Sequence, residues 1–203
     1  MITIPAAYPP FSLSAVAESH GWVQLPPFTW HAETGVLTRV QRLDSGRVVE
    51  LSLREEGDGV RVMASGGLAQ AEAREIVKTV RWMLQLEHDL SGFFELARCC
   101  ARLAHVEPAA KGRILRSPTV FEDVVKTILT TNVQWSGTIR MVEGLVTAFG
   151  ARLHAQAGAP SPLRSGLPHW MRRHSARPGS GTGRRTCWNS PVLWRQERLT
   201  WRP

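Results

Sequence analysis

The chain has 203 residues, 43% of them hydrophobic, and three cysteines, which leaves room for one or two domains and gives no disulfide framework. Its formal charge of +8 is unevenly placed: residues 1–150 hold 15 Lys and Arg against 16 Asp and Glu, and residues 151–203 hold ten Arg against one Glu. The basic balance therefore describes the last segment alone and excludes a uniformly basic nucleic-acid-binding domain.

Met1–Pro10 has no basic residue ahead of an apolar run and contains Pro5, Pro9 and Pro10, so it does not read as a signal peptide. No stretch approaches the roughly 18 apolar residues of a membrane helix. A cytoplasmic chain with no membrane contact is expected. Cys99 and Cys100 read as buried reduced thiols in an apolar stretch, and no cofactor or metal is expected.

Residues 11–20 read as a short helix with Leu13, Val16 and Ala17 inward, ended by Gly21-Trp22. Strands are expected over 36–43, 47–53 and 60–64, separated by turns at Asp44-Ser45-Gly46 and Gly57-Asp58-Gly59. Val49, Leu51 and Leu53 share one face of the middle strand. Residues 69–88 follow the helical period through Ala73, Ile76, Val77, Val80, Met83, Leu84 and Glu87, and residues 91–106 form a further helix that Pro108 ends. A small antiparallel meander followed by helices is an α+β arrangement, with residues 1–106 as an N-terminal domain.

Residues 112–150 carry the most information. Ser117-Pro118 reads as a helix start, with Ser as N-cap and Pro in the first position. Phe121, Val124, Val125, Ile128 and Leu129 then recur on one helical face. A polar break, Thr130 to Gly137, leads to a second helix with Ile139, Val142, Leu145, Val146 and Phe149 on one face, closed by a left-handed Gly150. Glu122 and Asp123 lie in a first turn, where acids favour the helix dipole.

GRILRSPTVFEDVVKTILTTN, followed by a helix ending in FG, resembles the first half of the catalytic domain of base-excision DNA glycosylases. These form the helix-hairpin-helix superfamily, and the resemblance points to its 3-methyladenine and 8-oxoguanine branches. It covers about residues 10–150, with 107–150 as a partial helical glycosylase domain. It implies hydrolysis of the N-glycosidic bond of a damaged, flipped-out base in double-stranded DNA by a monomer, nucleoid-associated when functional. It also implies that the turn between the two helices faces the minor groove and that Asn132 fills the vacated base position, with Thr131 and Gln134 beside it. An amide suits that role, because it can hydrogen-bond the orphaned base. Taken without the resemblance, Asn132 caps the second helix. Trp135 reads as a core residue either way.

The resemblance places a catalytic Asp, and a hairpin that holds a phosphate, downstream of Gly150. The last Asp here is Asp123, the last Lys is Lys126, and Glu197 is the one acid after Gly150. Residues 151–203 lack Lys, Asp, Ile, Phe and Tyr, hold four of the eight Trp, and are interrupted by six prolines. That composition is what a GC-rich gene gives when read out of frame. The expectation is a frameshift near 150–158, an irregular tail and a truncated enzyme without base-releasing activity. Gly179-Ser180-Gly181-Thr182-Gly183 reads as tail composition, and His169, His174 and Cys187 lack a fourth metal ligand. The competing reading is a non-specific nucleic-acid-binding protein working through the Arg/Trp tail.

Overall fold

The structure, a computed structural model, describes residues 1–150. The expectations for the tail, including Gly179–Gly183, His169, His174, Cys187 and Glu197, lie outside the described residues.

Five strands form one antiparallel sheet: β1 (Ile2–Pro5), β2 (Phe28–His31), β3 (Val36–Arg42), β4 (Val48–Glu55) and β5 (Gly59–Ala64), in the order β1-β5-β4-β3-β2. The expected three-strand meander is the centre of this sheet. Both edge strands are additions. Each is four residues long, too short for an alternating pattern to stand out, and each depends on a partner for its definition: Ile2 to Pro5 pair with Val62 to Gly59, and Phe28 to His31 pair with Arg39 to Val36.

One face of the sheet is covered by α1 (Leu13–Ala17) and α2 (Gln70–Leu84). Leu37, Val49, Leu51, Leu53, Val60 and Val62 from the strands meet Leu13 and Val16 of α1 and Ile76, Val80, Met83 and Leu84 of α2. These helical positions recur about once per turn, with Met83 and Leu84 side by side at the end of α2, so a single stripe reaches the sheet. The fold is thus α+β. No helix among the described residues is long and apolar enough to cross a membrane.

Helix boundaries differ from the sequence expectation for identifiable reasons. α2 stops at Leu84 because Gln85 takes a left-handed conformation (φ 53°), and Glu87, expected on the inner face, is exposed beyond the helix end. The helix expected over 91–106 is α3 (Ser91–Arg98) followed by a single 3-10 turn at Ala101–Leu103, and between them Cys99 is exposed and Cys100 half-buried rather than buried. Phe94 packs with Leu90 and Val106 in a small second cluster.

The segment after α3 is anchored by Arg113, whose side chain is almost fully buried. Its guanidinium donates to the carbonyls of Pro10 (2.8 Å), Gln85 (3.2 Å), His88 (3.3 Å) and Tyr8. A planar fork with five donors suits this task, because it can reach carbonyls of several separate segments at once. The N-terminal segment, the end of α2 and the approach to the last helices are thereby tied at one point.

The last two helices of the described residues are α4 (Val120–Leu129) and α5 (Trp135–Phe149). Thr119, not Ser117, is the N-cap of α4, and its hydroxyl accepts from Glu122 N at 3.3 Å. Ser117 has other partners: its amide donates to Asp123 Oδ1 and its hydroxyl meets Lys126 Nζ. Gly150 is extended (φ −66°), not left-handed, but a Cβ there would lie 2.3 Å from the Val146 carbonyl oxygen. Glycine is needed at that position for close approach rather than for handedness.

Candidate nucleic-acid interface

The turn between α4 and α5 is built from threonines and one left-handed residue. Thr130 and Thr131 each fold their hydroxyl back onto a helix carbonyl, Thr127 O and Ile128 O, both at 2.7 Å, so the end of α4 is satisfied locally. Buried Thr138 of α5 donates to Leu129 O at 2.9 Å and staples the two helices across the turn. Val133 lies against Gly137, where a Cβ would come within 2.5 Å of the Val133 side chain.

Asn132 is the reversal point of this turn, at φ 54°. Asparagine is among the few residues that adopt this conformation readily. Its side chain is exposed. It does not cap α5: the N-cap is Gln134, which makes no side-chain capping bond. Thr131, Asn132 and Gln134 are thus brought together on one exposed turn, but Thr131 has its hydroxyl committed to α4. The first turn of α5 carries no acid, so the positive end of its dipole is not neutralised there.

Trp135 is not a core residue. It is 37% exposed, and its ring lies against Gly21, where a Cβ would come within 2.3 Å of it. Its indole N–H donates to Gln24 Oε1 at 2.7 Å. Gly21 and Gln24 bound a 3-10 turn between α1 and β2. The same turn supplies Trp22, whose indole donates to Asp123 Oδ1 at 2.7 Å. His20 stacks on Trp22 at 5.0 Å, and burial lowers its pKa.

The acids in the first turn of α4 therefore do more than answer the helix dipole. Glu122 forms a two-pronged pair with Arg39 of β3 (2.7 and 3.1 Å) and a further pair with Lys126 (2.6 Å). Arg39 and Lys126 both lie over the Phe28 ring, at 4.6 and 4.9 Å. Burial pushes the Glu122 carboxyl up, but the two cations outweigh it and hold its pKa below the ordinary 4.5. Lys126 is 2% exposed, and burial lowers its pKa against the opposing pull of Glu122. Sequence reading missed this network, for which an arginine at an inward strand position is the available signal.

The apolar faces of these helices have the opposite character. Phe121, Ile128 and Phe149 are 77%, 61% and 84% exposed, and Val124 and Leu145 are also open. Between α4, α5 and the β3 edge lies an apolar groove of about 320 Å³, lined by Pro27, Val40, Val125, Leu129, Val142 and Val146, among others. Among the described residues, no group of three or more His, Cys, Asp or Glu is arranged to hold a metal.

No protein-family model matches this chain, and no curated protein matches it in sequence. Among solved structures it is similar to a 3-methyladenine DNA-glycosylase from Archaeoglobus fulgidus, with a TM-score of 0.60 at 19% identity. The similarity covers 77% of this chain and 53% of that one, so the chain spans about half the length of its structural neighbour. What the two share is a glycosylase-like fold.

Proposed function

We propose that this chain carries the DNA-facing front half of a base-excision DNA glycosylase. In this reading, residues 1–106 form the platform and residues 107–150 the partial glycosylase domain. The partner is double-stranded DNA with a damaged or missing base. Asn132 enters the duplex at the vacated position, with Gln134 and Thr131 against the adjoining backbone. The carrying observation is the exposed left-handed Asn132 at the head of α5, whose amide is not used as a helix cap. The glycosylase-like fold supports the reading.

Base release requires a carboxylate free to stabilise the developing sugar cation or to activate water. Glu122 and Asp123 lie closest in sequence to the turn, but Glu122 is held by Arg39 and Lys126 and Asp123 by Trp22 and Ser117. Lys126, buried and ion-paired, is not placed to act as a lyase nucleophile. With those groups committed, the chain is proposed to recognise a vacated position without cleaving the glycosidic bond.

The test uses the full chain with three duplexes: intact, carrying one alkylated base, and carrying a stable abasic-site analogue. Tighter binding to the abasic duplex, lost in Asn132→Ala, with no base release, is the expected result. Equal affinity for all three duplexes with a steep salt dependence overturns it. That outcome favours non-specific binding through the last 53 residues, where the sequence holds ten Arg and one Glu.

A further inference from the structure

We propose that the Gly21–Gln24 turn is the positioning element for Asn132, acting through Trp135. The inference rests on the reading of Asn132 given above and adds residues from a distant part of the chain to it.

Three contacts lead from this one turn to the two helices. Trp22 holds the start of α4 through Asp123 Oδ1. Gln24 holds the first residue of α5 through the Trp135 indole N–H. Gly21 offers bare backbone on which the Trp135 ring lies, at a separation that any side chain would block. The grips fall on either side of Asn132: the first on α4, the other two on Trp135, only three residues beyond it.

Within the hairpin, hydroxyl-to-carbonyl bonds from Thr130, Thr131 and Thr138 hold the turn, with little apolar burial to support them. In α5 only Thr138 and Val142 are buried, and the apolar face of α4 is largely open. The Arg39–Glu122–Lys126 network holds α4 from its first turn to its last, and none of its ion pairs involves residues 130–134. A side chain that must enter a duplex needs a fixed departure point, because even small misplacement is costly. The Trp135 indole lies on the surface, joined to Gln24 by an exposed hydrogen bond. An interior packing role leaves that arrangement unexplained, and orientation of the adjacent turn explains it.

The test compares Gln24→Ala, Trp135→Phe and Gln24→Glu with Asn132→Ala, in the full chain. Two quantities are read: backbone amide exchange over residues 130–134, and the ratio of affinities for abasic-analogue and intact duplexes. Gln24→Ala and Trp135→Phe are expected to speed exchange in the turn but not in the central strands. They are also expected to lower the affinity ratio about fivefold, the worth of one hydrogen bond, leaving intact-duplex binding unchanged. Gln24→Glu keeps an acceptor oxygen and restores turn protection. Asn132→Ala lowers the ratio, and adding Trp135→Phe to it lowers the ratio no further.

Unchanged exchange in both Gln24→Ala and Trp135→Phe overturns the positioning role, whatever Asn132→Ala does. A further loss in the double variant also overturns it, because Trp135 then acts through its own contact with DNA. An unchanged ratio in Asn132→Ala, or no abasic preference in the parent chain, removes the reading of Asn132 itself. The exchange data then decide separately whether the turn is held from Gln24.

Discussion

The sheet with α2 and the α4–α5 hairpin treat their apolar residues in opposite ways. Leu37, Leu51, Leu53, Val60 and Val80 are fully buried between the sheet and its helices. Phe121, Ile128 and Phe149 have equally regular helical spacing, yet they face outward. α4 meets the sheet with its polar edge, Glu122, Asp123 and Lys126, because Arg39 and Trp22 on the other side offer charges and donors rather than apolar surface. A periodic apolar stripe identifies a helix, but the partner's chemistry decides which face of that helix is covered.

The largest expected effect lies in the first region. Leu53→Ala should lower stability by about 2–5 kcal/mol, measured by urea denaturation, since it opens a cavity between the sheet and α2. Glu122→Gln should cost about 2–4 kcal/mol, because it leaves two largely buried cations, Arg39 and Lys126, without their anion. Lys126→Met should cost less, since Arg39 still pairs Glu122 and a thioether fills the site beside Phe28. If Glu122→Gln were as mild as Lys126→Met, the two regions would not be joined by charge as described.

The same carboxylate gives a pH dependence. Glu122 has a lower pKa in the folded chain than its ordinary 4.5. Its contribution to stability is therefore present above the ordinary carboxylate range and is lost as pH falls through the lowered value. Between about pH 6 and pH 3, the wild-type urea midpoint should fall more steeply than that of Glu122→Gln. Parallel curves would remove Glu122 from the account.

Smaller effects concern the turn and the open face. Asn132→Val should cost about 1–2 kcal/mol, because a β-branched residue is strained at φ 54°, while Asn132→Gly keeps the conformation at little cost. Phe121→Ser should change stability by no more than about 0.5 kcal/mol, as for other exposed positions. A loss of about 2 kcal/mol or more at Phe121 would mean that this face is covered, and the contrast between the two regions would fail.

Much of the fold was legible in local pattern. The three central strands, α2 and the helix-turn-helix of residues 117–150 each have a face that repeats with the right period, and the polar break containing Asn132 stood out between two such faces. The edge strands did not, because four residues carry too little alternation. The grip on the candidate site was also hidden. Trp22 and Asp123 are 101 residues apart, Arg39 and Glu122 are 83 apart, and Gln24 and Trp135 are 111 apart. A polar partner at that distance leaves no local signature.

By itself, then, the sequence determined the α+β class, the order of sheet and helices, and a turn headed by an asparagine. These follow from periodicity and from the conformational preferences of single residues. Only the tertiary structure decided that Asn132 is left-handed and does not cap α5, that Trp135 lies on Gly21 instead of in the core, and that Glu122 and Asp123 bind the sheet side. Those outcomes depend on which groups meet across the fold, because hydrogen bonds and ion pairs are satisfied by partners in space, not by neighbours along the chain.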